Sequence, residues 1–155
     1  MIQENVMKIA IGCDHGGIVL KDAVTSTLKD LGAEVVDLGT NSTDSVDYPT
    51  YGLKVAETVA SGQCDAGVIM CGTGIGISIS ANKVPGIRCA VVTNTYMAQL
   101  TKNHNNANII SLGGRVITPE EAKDIVKAWY TAEYEGGRHQ RRLDMITDIE
   151  KKYSK

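Results

Sequence analysis

The chain has 155 residues, of which 16 are Lys or Arg and 18 are Asp or Glu, so its formal charge is −2. A hydrophobic content of 43% is enough to build one buried core, which predicts a single domain over 1–155 and argues against disorder. The near-neutral charge argues against an extended nucleic-acid surface, which needs an excess of basic side chains, but it allows a small anionic ligand.

Apolar runs alternate with amphipathic segments throughout the first half of the chain. The pattern predicts, in order, a strand at 7–13, a helix at about 18–31, a strand at 34–38, a helix at about 51–60 and a strand at 66–71. Gly32 and Gly62 are expected to end the two helices.

The second half continues the same alternation. It predicts a short helix up to about 82, a strand at 88–93, a helix at 95–102, a strand at 108–112, a helix at 119–132 and a last charged helix at about 138–151. Thr118 is expected to cap the helix that begins at Pro119. The asparagine-rich stretch from Asn103 reads as a loop, which would hold His104 and Asn105.

Repeated strand–helix units with apolar strands indicate an α/β fold with a parallel sheet and helices on both faces. In such sheets ligands bind beyond the carboxyl ends of the strands. Three segments occupy those positions: Asp14 and His15 after the first strand, the glycine loop 72–76 after the third, and 113–115 after the fifth.

Membrane segments and metal sites find no support in the sequence. No apolar run approaches the ~20 residues of a membrane helix, and the first residues lack the pattern of a signal peptide, so we expect a cytoplasmic protein. The cysteines fit neither a CxxC motif nor zinc spacing, so free thiols are expected, three of them buried and inert: Cys13, Cys64 and Cys89.

The sharpest local feature is the sequence from Cys71 to Gly76, in which Gly72, Gly74 and Gly76 alternate with other residues. Glycines at this spacing let the backbone approach a ligand and can direct several N–H groups at one anion, although a tight turn without a ligand would need the same residues. A thiol at the start of such a loop favours the thiolate, so Cys71 is a candidate nucleophile or general base.

Polar side chains near the other strand ends are candidates of lesser weight. Asp14 and His15 could meet a ligand hydroxyl and an anion, and His104 could shuttle a proton, although a lone histidine is more often a surface residue. Arg138 and Arg142 are spaced i, i+4, so on a helix they share a face that could grip one phosphate. The glycines before them predict an arm, about 136–155, that contacts a partner subunit.

Six motifs in register resemble one known family, the type B ribose-5-phosphate isomerases, which belong to a wider group of ribose and galactose phosphosugar isomerases. They are GCDHGG at 12–17, DYP at 47–49, CGTGIGISISANK at 71–83, HNNAN at 104–108, GGRV at 113–116 and YEGGRHQRR at 134–142. The resemblance covers about 7–152, nearly the whole chain.

The resemblance implies a Rossmann-like three-layer fold and a metal-free, cofactor-free isomerase that interconverts ribose 5-phosphate and ribulose 5-phosphate. It implies a homodimer or homotetramer with active sites shared between subunits. The catalytic residues it implies are Cys71 as base, Thr73 beside it, His104 for ring opening and Asp14 for the sugar hydroxyls. The implied substrate-binding residues are His15, Tyr48, Gly72, Gly74, Gly76, Asn105, Arg115, Arg138 and Arg142, the last two reaching over from the partner subunit.

One branch of the family carries a glutamate base where this chain has Ile77, so the residue pattern favours the cysteine branch.

The sequence leaves two alternatives to the proposed pentose isomerase open. A six-carbon sugar such as allose or galactose 6-phosphate could replace the pentose, because one extra carbon is a weak discriminator. A nucleotide- or flavin-binding module could use the same sheet and glycine loop, but it would have no use for Cys71, His104 and the arginine pair together.

Overall fold

The computed structural model describes residues 6–154; residues 1–5, to which part of the signal-peptide argument applies, lie outside the described residues. Five strands and six α-helices follow one another along the chain. In order they are β1 (Lys8–Cys13), α1 (Lys21–Asp30), β2 (Glu34–Asp37), α2 (Tyr48–Ala60), β3 (Ala66–Cys71), α3 (Ile75–Ala81), β4 (Cys89–Val91), α4 (Thr95–Asn105), β5 (Ile109–Gly113), α5 (Pro119–Thr131) and α6 (Arg138–Tyr153). A single 3-10 turn, Ile18–Leu20, leads into α1.

The strands form one parallel sheet in the order β2-β1-β3-β5-β4. The predicted α/β class with a five-stranded parallel sheet is therefore confirmed. Cys13 pairs with Met70, and Cys71 pairs with Gly113, so β1, β3 and β5 end at the same edge. Strand β2 lies on one side of β1 and strand β3 lies on the other, so the strand order reverses direction between β1 and β3. Sheets of this kind bind ligands at the carboxyl ends of the strands beside such a reversal.

Alternate side chains of the central strands fill two cores, one on each face of the sheet. On β3, Val68 and Met70 pack into the core that α1, α4 and α5 cover, whereas Ile69 and Cys71 face the core under α2 and α3. All six residues of β3 are buried. This two-sided burial explains why the strand reads as an uninterrupted apolar run rather than as an alternation.

Two helices differ from the sequence prediction at their ends. Helix α2 begins at Tyr48 rather than near 51, because Pro49 has no N–H to lose in a first helical turn. Helix α4 continues to Asn105, so the predicted loop from Asn103 is wrong and His104 lies in a last helical turn. Asn106 ends that helix in the left-handed conformation, at φ 44°, which asparagine tolerates better than most residues.

The termini of α5 and α6 follow the prediction more closely. Thr118 accepts a hydrogen bond from the N–H of Glu121, whose carboxylate accepts one from the N–H of Thr118, a complete capping box. Gly136 and Gly137 precede α6 at φ 65° and 58°, values that favour glycine. His139 and Leu143 are the buried residues of α6, which contacts α4 of the same chain.

Within residues 6–154, none of the helices combines the length and the apolar character needed to span a bilayer.

Candidate active site

The loops that follow β1, β3 and β5 meet at the carboxyl edge of the sheet and line a cleft of about 460 Å³ together with the start of α2. The cleft brings together most of the residues predicted from the sequence. Its lining consists of Asp14, His15, Tyr48, Cys71, Gly72, Thr73, Ile75, Gly76 and Arg115. Gly74 lies behind this lining, against the carbonyl group of Leu112.

The glycine loop wraps its backbone around the sulfur of Cys71. Gly74 has φ 81°, a left-handed conformation that turns its N–H onto the Cys71 Sγ at 3.1 Å. This N–H donates to the sulfur and thereby stabilises negative charge on it. The Oγ1 of Thr73 accepts from the N–H of Ile75 at 3.2 Å, which fixes the hydroxyl beside the thiol.

Main chain from the three loops is in direct contact, which only glycine permits. A Cβ added to Gly16 would lie 2.9 Å from the nitrogen of Gly72, and one added to Gly114 would lie 2.2 Å from the oxygen of Gly16. The N–H of Gly114 donates to the Cys71 carbonyl at 2.8 Å. The N–H of Arg115 donates to the Gly72 carbonyl at 2.9 Å. The floor of the cleft is therefore backbone, held by backbone hydrogen bonds.

Asp14 and His15 are oriented by the loop that carries them. The Oδ1 of Asp14 accepts the N–H groups of Gly16 and Gly17 at 2.8 and 3.0 Å, and its second oxygen makes no such bond with the described residues. The Nδ1 of His15 accepts the N–H of Val46 at 3.1 Å. A neutral imidazole that accepts at Nδ1 carries its proton on Nε2, so His15 has an N–H to donate to an anion in the cleft.

Arg115 and Tyr48 occupy the space that the glycine loop leaves free. A Cβ on Gly72 would lie 2.8 Å from the Arg115 Nη1, and a Cβ on Gly76 would lie 2.6 Å from the ring of Tyr48. The guanidinium therefore lies over one end of the loop and the phenol over the other. The cleft is cationic at the Arg115 end, which suits a substrate with an anionic group at one end.

The other three cysteines have environments that suppress ionisation, and the structure shows all four thiols to be free, as predicted. Burial raises the pKa of Cys13 to about 11, against a smaller opposing effect from Lys21. Burial also raises the pKa of Cys89 to about 12 and, in direction, that of Cys64. Desolvation disfavours the charged thiolate, so these three thiols are poor nucleophiles.

Alkylation with iodoacetamide at pH 8 is expected to modify Cys71 first. A pKa of about 11 leaves Cys13 with roughly one thiolate per thousand molecules at that pH, and Cys89 with fewer. Peptide mapping by mass spectrometry after increasing reaction times measures the order of modification. Labelling of Cys13 or Cys89 as fast as Cys71 would contradict the assignment.

Replacing Gly17 by alanine is expected to destabilise the fold by about 3 kcal/mol, at the upper end of the range for overpacking. Gly17 has φ −101°, which alanine adopts readily, but its Cβ would lie 2.3 Å from the carbonyl oxygen of Met70 in β3. Urea unfolding gives the loss. Gly62→Ala is the matched control, since Gly62 has φ 83° but open space around it, and it should lose only about 1–2 kcal/mol. Equal losses in the two variants would show that the clash with Met70 relaxes.

The remaining predicted residues lie outside this cleft, near the facing ends of α4 and α6. His104 stacks on His139, with ring centroids 4.2 Å apart and planes 11° apart. Both Nε2 atoms face the Glu135 Oε1, at 3.8 Å for His104 and 3.5 Å for His139. Arg138 and Arg142 are exposed, and both lie close enough to His139 to act on its charge. Asn105 lines a separate groove between β4 and α4.

The predicted site thus falls into two groups of residues within one chain. The cleft holds the thiol, the glycine loop and one arginine, whereas the cluster at α4 and α6 holds His104 and the arginine pair. Donor atoms of His104, Glu135 and His139 lie within 4.8 Å of one another, close enough to consider a metal ion. However, the two rings are nearly parallel, so their nitrogen lone pairs run side by side and do not converge on one point.

Three residues near these groups were not identified from the sequence. Ser111 is fully buried in β5, and its hydroxyl donates to the Gly74 carbonyl at 2.6 Å, which holds the glycine loop in place. Its signal is a single hydroxyl in an otherwise apolar strand. Glu135 and His139 lie within the motif at 134–142, but nothing in their spacing from His104 points to a contact.

Comparison with known proteins gives matches over almost the full length. The model of the Ribose/Galactose Isomerase family matches residues 9–146. A protein of Escherichia coli strain K12 named ribose-5-phosphate isomerase B is 51% identical over 145 residues, which cover 94% of this chain and 97% of that protein.

Solved structures agree with this match. That of Clostridium thermocellum ribose-5-phosphate isomerase B superposes with a TM-score of 0.93 at 59% identity, over 96% of this chain and 100% of the other. That of the Mycoplasma genitalium ribose-5-phosphate isomerase B with bound ribulose-5-phosphate superposes with a TM-score of 0.89 at 41% identity, over 94% and 97% of the two chains.

Proposed function

The chain belongs to the ribose/galactose isomerase family, and from this premise we propose that it interconverts D-ribose 5-phosphate and D-ribulose 5-phosphate through an enediolate. The resemblance read from the sequence motifs is confirmed at the level of the family. The observation that carries the reaction is the Cys71 thiol, which lines a cleft whose floor is backbone and whose wall includes the Arg115 guanidinium. The enzyme serves the pentose branch of carbohydrate metabolism.

Cys71 is the proposed base of the isomerisation. Its thiolate removes the proton from C2 of the open-chain aldose, and the electron pair moves through C1 to the carbonyl oxygen, which becomes an enediolate oxyanion. N–H groups of the loop from Gly72 to Gly76 lie where they can stabilise that charge, and one such donor is worth roughly 2.7–4 kcal/mol. The C2 hydroxyl then passes its proton to the oxyanion on the C1 oxygen, a transfer that the Thr73 hydroxyl assists. The same thiol returns its proton to C1 as the C2 oxygen becomes the ketone.

The phosphate is proposed to bind at the cationic end of the cleft. His15 offers the N–H of its Nε2 and Arg115 offers a planar guanidinium, a donor set that matches phosphate oxygens. Asp14 and Tyr48 line the same cleft, where they are proposed to contact the sugar hydroxyls. Binding the phosphate at a distance from C1 and C2 positions the reacting carbons over Cys71.

The chain is proposed to act as a dimer in which each cleft is completed by the partner. Ribose 5-phosphate is mostly a closed ring, so a group must move a proton from the C1 hydroxyl to the ring oxygen before Cys71 can act. His104 is the proposed group, yet it does not line the cleft of its own chain. Arg138 and Arg142 are exposed beside it, where they and Asn105 would reach a sugar phosphate held by a second copy. The arm at 136–155 is thus the proposed contact between subunits, and two such dimers could pair as a tetramer.

A panel of five- and six-carbon phosphosugars, assayed with EDTA present, tests the proposed reaction. Ribose 5-phosphate is expected to give the highest kcat/KM, unchanged by EDTA, because every proposed step uses a side chain or the backbone. A higher kcat/KM with allose 6-phosphate or galactose 6-phosphate would assign the enzyme to a six-carbon sugar instead. Loss of turnover on chelation would contradict the metal-free chemistry.

A further inference from the structure

We propose that His139 and Glu135 are positioning residues, which hold the imidazole of His104 in the orientation that ring opening requires. This inference rests on the role proposed for His104. A proton shuttle must present its nitrogen to two oxygens of one sugar, so free rotation of the ring would reduce the fraction of productive encounters.

The structure places two groups against the His104 ring. The residue lies in the last turn of α4, and 36% of its side chain is exposed. The two groups are the His139 ring, stacked with its centroid 4.2 Å away, and the Glu135 carboxylate, whose Oε1 lies 3.8 Å from the His104 Nε2. The stacked ring fixes the plane of the imidazole, and the carboxylate favours the rotation that turns the His104 Nε2 towards it.

His139 provides a rigid surface for this stack. It lies in the first turn of α6 with only 8% of its side chain exposed. Its backbone N–H donates to the Gly136 carbonyl at 3.1 Å, and Leu143 anchors the same helix one turn later with 5% exposure. The His139 ring takes no part in the chemistry proposed for the cleft. We therefore assign its contact with His104 the role of orienting that ring.

Glu135 is held to the helix that carries His104. Its N–H donates to the carbonyl of Asn103 at 3.0 Å, and the side-chain amide of Asn103 donates to the carbonyl of Glu133 at 2.6 Å. The segment before α6 is therefore fastened on both sides to the residue that precedes His104. The backbone of Glu135 thereby keeps its place relative to α4, which brings its carboxylate within reach of the imidazole.

The charges around the stack favour a neutral His139. Desolvation lowers its pKa, and the positive charges of His104, Arg138 and Arg142 lower it further against the opposing effect of Glu135. A lowered pKa favours the neutral form of the His139 imidazole, whose Nε2 still faces the Glu135 carboxylate at 3.5 Å. His139 then serves as the stacking surface, and His104 serves as the group that carries the proton.

The test separates ring opening from proton transfer at carbon. Ribulose 5-phosphate has no free hydroxyl that can close a five-membered ring, so exchange of its C1 hydrogen with D2O needs the base Cys71 but no ring opening. Net conversion of ribose 5-phosphate needs both steps. Both reactions can be followed by NMR on the full chain for His139→Ala, His139→Phe and Glu135→Gln, with Leu143→Ala as a control that loosens α6 without removing a contact to His104.

The expected result is a split between the two reactions. His139→Ala and Glu135→Gln should lower kcat for net conversion of ribose 5-phosphate roughly tenfold to a hundredfold and should change KM less than about twofold. In both variants the C1 hydrogen of ribulose 5-phosphate should exchange near the wild-type rate. His139→Phe keeps a flat ring against His104 and should recover part of the loss. Leu143→Ala should leave the ratio of the net conversion rate to the hydrogen-exchange rate as it is in the wild type.

Other outcomes overturn the inference. If both reactions fall together in His139→Ala, or if Leu143→Ala produces the same split, the two residues only maintain the position of α6. If neither reaction changes, His104 needs no positioning by them. Failure of the wild-type chain to catalyse either reaction would instead refute the proposed isomerase function, so the two failures are distinguishable.

Discussion

Replacing Cys71 by alanine is expected to reduce kcat for ribose 5-phosphate by about 10⁴-fold, at the upper end of the range for general acid–base catalysis. The substitution removes the group that we propose to carry the proton from C2 to C1. It also removes the sulfur that accepts the hydrogen bond from the Gly74 N–H. Steady-state assay of the pure variant measures the loss.

Intact folding and binding are part of the same expectation. Cys71 is buried at the end of β3, and alanine at this position leaves only a small cavity, so thermal unfolding should resemble that of the wild type and ribose 5-phosphate should still raise the midpoint. Cys89→Ala is the matched control, since that thiol lies outside the cleft, and it should retain full activity. Near-wild-type turnover by Cys71→Ala would remove the thiol from the mechanism.

Mixing two impaired variants is expected to restore activity when it is assayed at a substrate concentration well below the KM of the Arg142→Ala variant. Arg142→Ala should chiefly raise KM, because it removes a proposed phosphate contact. In a dimer with shared sites, a chain with Cys71→Ala and a chain with Arg142→Ala form one cleft with both defects and one with neither. Equal mixing makes half of the dimers mixed, so roughly a quarter of the wild-type activity should return.

The control for this experiment uses two residues of the same cleft. Thr73 and Cys71 both line the cleft of one chain, so a mixture of Thr73→Ala with Cys71→Ala leaves every cleft with a defect. Its activity should not exceed the average of the two separate variants. Mass spectrometry of the intact assembly establishes that subunits have exchanged. Absence of recovery with Arg142→Ala after confirmed exchange would place the arginine arm over the cleft of its own chain.

Much of the fold follows from local sequence signals. Strand β3 has its predicted limits because Asp65 and Gly72 bound a run that is buried on both faces. The capping box at Thr118 and the glycines before α6 likewise act within a few residues of themselves. Helices α2 and α4 are the exceptions. The first begins three residues early at Tyr48, and the second continues through side chains typical of loops until Asn106 ends it.

The residues of the candidate site also divide into those that local sequence signals identify and those that depend on contacts between distant segments. The thiol, the glycine loop and Asp14 could be located because strand ends mark them in the sequence. The order of β5 and β4 in the sheet, which brings Arg115 over Gly72, depends on contacts between distant segments. The stack of His104 on His139 is similar, since the two residues are on different helices and share no sequence pattern.

A cleft whose floor is main chain limits how such an enzyme can diversify. Substitutions cannot alter the positions of the N–H groups near Gly72 and Gly114 one atom at a time, because any added carbon meets backbone or the Arg115 side chain. New substrate preferences must arise at the rim, in side chains such as Tyr48 and Ile75. Descendants of this chain could therefore change the length of sugar they accept while moving the proton in the same way.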